Sequence, residues 1–442
     1  MMVILFTLKQ LTLRSCCRYT KKCFESIAIC HLYGSLICYL SANPIRITMS
    51  TLASADTPAP SDSQLANNTS VQKDTALWNR YVDQKAQRKL WFPLEAAKEL
   101  KVSELELLLA SPYSQYMGTQ CSDVLQALTE FEMLESIVRN ELAVHEKIGQ
   151  LKNLKLSGHK GLAIDVGGLD LRFFVHKWQH MLAFTDDSKA DENSPGSLSI
   201  QFFDESGAAI AKVFLRDYSP AAITQWFELI AQHTAQAEAN PQNVIVNLKP
   251  AAVNDPWQYH ALDDDDKAKL QQKWLGLTDI HQFYILLKKL GIDRASSYLQ
   301  APENTTYPLD PKAIESLLTL AQQQAEPIMT FVGNSGVVQI QTGVVHQVKR
   351  MGSWINILDK KHTDFTLHLN DEALAQVWCV KRPTKDGTVT CIEGFDAYGN
   401  TIVTFFGQRQ EGEPEKDYWR KLTASLVEQH LLIESPATEL TK

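Results

Sequence analysis

The sequence predicts an α+β fold in which a large antiparallel β-sheet unit with flanking helices occurs twice in tandem. The first observation is an internal repeat, because many residues recur at an offset of 194 positions. The matched pairs at this offset are Val138/Val332, Asn140/Asn334, Val144/Val338, Gly149/Gly343, Gly158/Gly352, Asp165/Asp359 and Asp170/Asp364. After small register shifts, the pairs Phe203/Phe395, Asp204/Asp396, Gly207/Gly399, Ile210/Ile402, Phe214/Phe406 and Trp226/Trp419 also match.

The second observation is the pattern inside each copy. Runs such as 337–341, 354–358, 365–369 and 389–393 alternate apolar and polar residues between Gly, Asn and Asp turns, which predicts strands. Helical spacing predicts helices within 76–136, where Ser103 and Glu106 resemble a capping box, and at 267–275, 278–290 and 311–324. Each copy closes with a predicted helix that carries Trp226 or Trp419. Sheets with helices on them are the natural arrangement of such elements.

Charge and cysteine content set the first 48 residues apart. Six of the 43 Lys and Arg but one of the 51 Asp and Glu lie there, so the rest of the chain has a net charge of −13. Such an acidic body disfavours nucleic acid as a partner. Five of the eight cysteines also lie in this segment, whereas Cys121, Cys379 and Cys391 are isolated, as expected for a reducing compartment.

These patterns divide the chain into six parts. Residues 1–48 are interpreted as a basic segment upstream of the working protein, since Met49 opens a typical polar N-terminus; a secretory signal is the alternative. The remaining parts are a disordered lead-in (49–74), a first repeat (75–240), a linker (241–264), a second repeat (265–428) and a tail (429–442). No apolar stretch is long enough to predict stable membrane insertion of the body.

Two residues stand out as candidates for chemistry. The segment 278–291 predicts a helix with Thr278 as N-cap and Gly291 after its end, which places His281 in the first turn beside the apolar stripe. A helix N-terminus favours the neutral imidazole that an iron atom needs as a ligand, although a capping or half-buried polar role is the commoner one for an isolated histidine. Strand alternation puts Leu171, Phe173 and Val175 on one face and Arg172 on the other. Arg172 is therefore a candidate for a fixed cation on a sheet face. An ordinary surface or ion-paired arginine is the alternative interpretation.

At these residues the chain resembles the bacterial hemin-degrading factors, the HemS/ChuS/HmuS group of haem-utilisation proteins. The resemblance covers about residues 76–425. It rests on the stretches VRNELAVHEKIG, SGHKGLAIDVGGLDLRFF, SIQFFDESG, LTDIHQFYILLKKLGIDR, FVGNSGVVQIQTGVV, GSWINILD, FTLHL and GQRQEGE. The family is itself an internal tandem repeat, and it implies haem in a cleft between the sheet of one half and helices of the other.

The resemblance also implies site residues. His281 is expected as the proximal iron ligand and Arg172 as the distal, catalytic residue near the water or dioxygen on the iron. Arg294, Arg382 and Arg409 are expected to contact haem, with three arginines pairing the propionates at the cleft mouth. Phe406 stands in the pocket where relatives often have tyrosine. His145 matches a histidine of relatives, with a structural role or an auxiliary haem contact expected.

The implied function is a cytoplasmic protein that binds imported haem b and supports its oxidative degradation with iron release. Haem is then both substrate and oxygen-activating cofactor, and electrons come from an external donor. The alternative is a non-catalytic haem carrier or store that delivers haem to a separate haem oxygenase, and the sequence leaves open whether the chain is an enzyme. Expected partners are haem, the electron donor, a haem importer or haem oxygenase; a homodimer is left open. A DNA-binding regulator using residues 90–110 is a third hypothesis, which the acidic body disfavours.

Overall fold

A computed structural model describes residues 74–88, 92–188, 190–191, 195–237, 240–410 and 412–432. The predictions for residues 1–48, for the lead-in up to residue 73 and for the end of the tail lie outside the described residues. The helices are α1 (Thr75–Ala86), α2 (Pro93–Leu100), α3 (Glu104–Leu109), α4 (Cys121–Ala127), α5 (Pro220–Gln236), α6 (Pro241–Val246), α7 (Asp264–Leu275), α8 (His281–Leu290), α9 (Arg294–Tyr298), α10 (Ala313–Gln324), α11 (Lys360–Thr363) and α12 (Asp417–His430).

The strands belong to two antiparallel sheets. They are β1 (Ser114–Gly118), β2 (Leu134–Arg139), β3 (Ala143–Gly149), β4 (Lys155–Ser157), β5 (Lys160–Ala163), β6 (Asp170–Phe173), β7 (His180–Asp186), β8 (Ser197–Phe203), β9 (Ala209–Leu215), β10 (Thr306–Leu309), β11 (Pro327–Gly333), β12 (Val337–Val344), β13 (Val348–Met351), β14 (Trp354–Asp359), β15 (Phe365–Leu369), β16 (Gln376–Thr384), β17 (Gly387–Phe395) and β18 (Thr401–Gly407). The α+β architecture with large antiparallel sheets is therefore confirmed.

The two sheets exchange strands between the halves of the chain. Sheet A has the order β1-β7-β8-β9-β2-β3-β15-β14-β13, and sheet B has the order β10-β16-β17-β18-β11-β12-β6-β5-β4. Each nine-stranded sheet thus holds six strands of one half and three of the other. The junctions are the antiparallel pairs β3–β15 and β12–β6.

The matched asparagines of the repeat join the halves reciprocally. Asn140 and Asn334 each follow a strand, and each side-chain amide donates two hydrogen bonds to carbonyls at equivalent positions of the opposite half. The bonds run from Asn140 Nδ2 to Gly333 O (3.0 Å) and Ile402 O (2.8 Å), and from Asn334 Nδ2 to Arg139 O (3.0 Å) and Ile210 O (2.8 Å). The two halves are therefore related by an approximate two-fold arrangement at this point.

Helices cover corresponding faces of the two sheets. Apolar residues of α1–α3 share one buried cluster with Tyr116, Leu182 and Phe203 of sheet A. Those of α7–α9 share another with Trp378, Phe395 and Phe406 of sheet B. The tryptophans expected in the closing helices are buried in α5 and α12.

One prediction was wrong in this region. Residues 76–136 were expected to be helical, but 114–118 form β1, which pairs with β7. Local spacing does not reveal this strand, because cross-strand pairing and the burial of Tyr116 decide its conformation. No helix within the described ranges is long and apolar enough to cross a membrane.

Candidate functional site

His281 is held by the carboxylate of Asp279. The backbone N–H of His281 donates to Asp279 Oδ1 at 2.7 Å, and the ring nitrogen Nδ1 lies 2.7 Å from the same oxygen. Because a carboxylate only accepts, this contact assigns the proton to Nδ1 and leaves the lone pair on Nε2. The imidazole is 87% exposed. The site therefore presents an orientated nitrogen ligand with a carboxylate partner behind it, as metal-ligating histidines commonly do.

The predicted start of this helix was wrong by a few residues. α8 begins at His281, and Thr278 instead exchanges hydrogen bonds with the side chain of Gln282, at 3.0 Å from the Thr278 backbone N–H and 3.0 Å to its hydroxyl. Asp279 accepts the hydrogen bond from the backbone N–H of His281. Thr278, as the predicted N-cap, was expected to accept such a bond. The expected left-handed end at Gly291 is confirmed, with φ of 64°.

Arg172 lies on β6, and its side chain is 38% exposed. Its neighbours Leu171 and Phe173 are buried on the other face, as strand alternation predicted. The Arg172 guanidinium forms an ion pair with Asp170, on the same face, and donates weakly to a backbone carbonyl of Leu171 at 3.2 Å. This pair holds the cation on the face rather than leaving it mobile.

Strand register places Arg172 and α8 on the same side of sheet B. Arg172 is opposite Val338, and Val338 is opposite Gly333 on β11. Phe331 lies two residues before Gly333 on β11 and so on the same face of the sheet. Its ring is in edge contact with that of Phe406, with the ring centroids 5.1 Å apart. Phe406 in turn belongs to the cluster under α8. Since directly opposed residues share a face, the first half contributes Arg172 and the second half contributes His281 to one side of one sheet.

Arg294 and Arg382 meet at a buried carboxylate, in what we call the Glu393 cluster (Arg294, Tyr298, Arg382, Cys391 and Glu393). Glu393 accepts from Arg382 Nη2 at 2.8 Å, Arg294 Nη1 at 3.2 Å and the Tyr298 hydroxyl at 2.6 Å. Arg382 also donates to Tyr298 at 2.7 Å, and the Cys391 thiol donates to Glu393 at 3.1 Å. Two arginines and two further donors therefore hold one carboxylate.

Electrostatics of this cluster favour its charged form. Burial alone would raise the pKa of Glu393, but the charges of Arg294 and Arg382 and the hydrogen bonds outweigh it and lower the pKa to about 2. Burial raises the pKa of Tyr298 well above its ordinary value, so its hydroxyl stays protonated as a donor. The Arg382 guanidinium lies over the ring of Phe283 on α8 at 4.4 Å, which connects the cluster to the helix of His281.

This arrangement corrects one expectation. Arg382 is 4% exposed, so placing three arginines at the cleft mouth is wrong for this one. A fully buried guanidinium is stable here because Glu393 neutralises it. Arg294, with 34% of its side chain exposed, reaches both the cluster and the surface. A haem contact remains a prediction for both.

Phe406 and Arg409 lie on and just after β18. Phe406 is nearly buried in the cluster beneath α8, where it packs on Phe331. Arg409 is half-buried; its Nε has no hydrogen-bond partner, and its charge interacts with Glu415. A haem contact stays a prediction for each.

His145 lies in the interior at the junction of the halves. It is fully buried, its ring lies at a tilt against that of Phe365 with the centroids 4.8 Å apart, and its Nδ1 lies 2.7 Å from Gln339 Nε2. Burial, with a smaller effect of Lys147, lowers the pKa of His145 to about 3. Of the two roles expected, the structure assigns the structural one.

The residues that sequence reasoning missed are Asp279 as the partner of His281 and Glu393 as the partner of two arginines. A glutamate on the apolar strand 389–395 is the signal that could have indicated a buried counter-charge.

Comparison with known proteins identifies the family of the chain. A family model described as the haemin-degrading HemS.ChuX domain matches residues 101–233 and again 291–426. The chain belongs to this family. Hemin transport protein HmuS of Yersinia pestis is 33% identical over 356 residues, covering 80% of this chain and 98% of the relative. The haem-degrading enzyme ChuS of Escherichia coli O157:H7 is 34% identical with a TM-score of 0.70, covering 80% of this chain and 99% of ChuS. The haem-bound structure of PhuS, a haem-binding protein of Pseudomonas aeruginosa, is 33% identical with a TM-score of 0.71, covering 80% and 99%.

Proposed function

We propose that this protein binds imported haem b in the cytoplasm and supports its oxidative degradation with release of iron. The observation that carries the proposal is the exposed imidazole of His281, fixed by Asp279 on the side of sheet B that also carries Arg172. The relatives add support, since one is a hemin transport protein, one a haem-degrading enzyme and one a haem-binding protein.

The donor set fits an iron porphyrin. His281 Nε2 offers one nitrogen ligand, and Arg294, with about a third of its side chain exposed, offers a guanidinium for a propionate. Phe331 and Val338, both partly buried, provide an apolar sheet face next to Arg172. An apolar body, a metal centre and a carboxylate rim thus each have a matching group.

Arg172 is the residue that we propose for catalysis. Its fixed cation supplies N–H donors on the sheet side of the site, where it can hold water or dioxygen in position. When bound, haem supplies both the ring that is oxidised and the iron that activates dioxygen, and an external reductant supplies electrons. We expect Arg172→Ala to retain haem but lose about 100-fold in turnover, whereas Arg80→Ala on α1 keeps the wild-type rate. Equal turnover of Arg172→Ala and wild type would remove Arg172 from the reaction.

The second candidate is a carrier that passes haem to a separate haem oxygenase. The transport name of the Yersinia relative favours it, whereas a second structure of the Escherichia coli relative is described as a haem oxygenase. The purified haem complex, given a reductant and oxygen, separates the two. Loss of the Soret band with carbon monoxide and iron release that survive catalase supports degradation. Bleaching that catalase abolishes supports the carrier.

A further inference from the structure

The linker between the two repeats carries a tryptophan that contacts the second half at two places. Residues 248–263 contain neither helix nor strand, and 249–256 are all exposed, whereas Trp257 is partly buried. Its backbone N–H donates to Ala397 O, in the turn between β17 and β18, at 2.9 Å. Its indole Nε1 donates to Asp293 Oδ1 at 2.9 Å. One linker residue therefore joins a sheet turn to the residue before α9.

The linker residues after Trp257 are bound along α9 and the residues that follow this helix. The backbone N–H of His260 donates to Ser296 Oγ at 3.0 Å, and Gln300 Nε2 donates to His260 O at 2.9 Å. The backbone N–H of Leu262 donates to Gln300 Oε1 at 2.8 Å. These bonds fix the linker against α9, so the indole is held in place from its C-terminal side as well.

The indole bonds to the residue that starts α9. Asp293 is the N-cap of this helix, and its Oδ1 accepts from the backbone N–H of Ser296 at 2.9 Å as well as from the indole. Arg294 is the first residue of the helix, and its guanidinium pairs with Glu393 while 34% of its side chain stays exposed. The linker thus contacts the cap next to one of the expected haem contacts.

The first repeat makes the corresponding contact without a linker residue. Its turn glycine, Gly207, matches Gly399 of the second repeat, and both have φ of 79°. A Cβ at Gly207 would lie 2.5 Å from the Oγ of Ser103, which is the N-cap of α3. A Cβ at Gly399 would instead lie 2.5 Å from Cδ1 of Trp257. In the second repeat the indole therefore stands between the turn and the N-cap.

The two repeats also differ in the charged residue that follows the N-cap. Glu104, the first residue of α3, is 2% exposed and pairs with Lys212 of sheet A. Arg294, the first residue of α9, keeps a third of its side chain exposed. Direct contact between turn and cap accompanies a buried charge, and the interposed indole accompanies an accessible one.

We propose that Trp257 is a positioning residue for haem binding, which holds the start of α9 so that the Arg294 guanidinium stays accessible to a propionate. This rests on the proposed function, because Arg294 must contact haem for its position to matter. Pairing of a guanidinium with a carboxylate depends on the alignment of two planar groups, so a shift of the helix start weakens it. The linker between the repeats thereby takes part in ligand binding.

The test compares haemin with haemin dimethyl ester, which lacks the propionate charges, as probes on the full chain. We expect Trp257→Ala to weaken haemin by about 5-fold, as the loss of one ion pair would, and to leave the affinity for the ester unchanged. The ferric absorption spectrum of the saturated haemin complex stays that of wild type, since His281 and Asp279 keep their contacts. A general loss of stability would instead weaken both probes alike.

The two turn glycines provide a second variant and its matched control. Gly399→Ala places a Cβ against the indole, so it should displace Trp257 and cause the same selective loss of haemin affinity. Gly207→Ala has the same φ and an equally close contact, but in the first repeat. It should lower the thermal unfolding midpoint and keep the wild-type preference for haemin over the ester. Equal loss of this preference in both glycine variants, or an unchanged preference in Trp257→Ala, overturns the proposal.

Failure of the proposed function is distinguishable from failure of this inference. If His281→Ala leaves the haemin spectrum unchanged, the ligand assignment of the proposed function fails. If Arg294→Ala keeps the wild-type preference for haemin, the propionate contact fails and the positioning role with it. If Arg294→Ala loses the preference while Trp257→Ala and Gly399→Ala keep it, only the positioning role fails.

Discussion

Removing the carboxylate of Asp279 is the perturbation whose effect the structure specifies most fully. Asp279 Oδ1 accepts two hydrogen bonds from His281, one from the backbone and one from the ring. Asp279→Ala therefore frees the imidazole to rotate and to change its tautomer. Loss of such a partner typically weakens metal binding 10- to 100-fold, which corresponds to about 1.4–2.7 kcal/mol of haem binding. The lost backbone bond removes about 1 kcal/mol of folding stability in addition.

Two further variants separate these effects. Asp279→Asn keeps an oxygen that can accept either bond, so most of the haem affinity should remain. Asp263→Ala removes a comparable cap on α7, where Asp263 accepts from the backbone N–H of Asp266 at 2.8 Å, and no histidine is involved. It should lower the unfolding midpoint without weakening haem. Haemin titration followed by absorbance, with thermal unfolding of each apoprotein, measures both. Wild-type haem affinity in Asp279→Ala would refute the argument.

Two other predictions concern buried charge. Glu393→Gln should destabilise the protein by about 3–5 kcal/mol in urea unfolding, because buried Arg382 and partly exposed Arg294 lose their counter-charge, while Glu205→Gln at an exposed pair should leave the free energy of unfolding nearly unchanged; equal effects would contradict the role of the cluster. The Glu393 contribution is present above its ordinary pKa of 4.5 and is lost as the pH falls toward about 2. Burial lowers the pKa of His145 to about 3 in the folded protein against an ordinary 6.5, so the unfolded chain binds the proton first as the pH falls, and the free energy of unfolding decreases by about 2 kcal/mol between pH 7 and pH 5. His145→Gln should remove that loss and leave the similar one from His368, whose pKa burial lowers to about 4; an unaltered pH dependence would contradict this.

Local signals in the sequence predicted much of the fold. The capping box of Ser103 and Glu106 forms as expected, and Gly291 ends α8 in the left-handed conformation. The alternation around Arg172 correctly assigned its face. These features depend on a few neighbouring residues, so the sequence contains the information they need.

Partners distant in sequence could not be predicted in the same way. The offset of 194 residues aligns Asn140 with Asn334, but not their hydrogen bonds to the opposite half. The placement of β4–β6 in sheet B depends on pairing between β6 and β12, which alternation alone does not specify. The burial of Arg382 likewise depends on its pairing with Glu393, which lies on the neighbouring strand and is brought close by sheet register.

The central claim is that His281 Nε2 binds haem iron. A haemin titration of protein starting at Met49, read by absorbance for wild type, His281→Ala and the exposed-histidine control His362→Ala, tests it most directly. The account predicts a changed ferric spectrum and weaker binding for His281→Ala alone. A His281→Ala complex with the spectrum and affinity of wild type would contradict it.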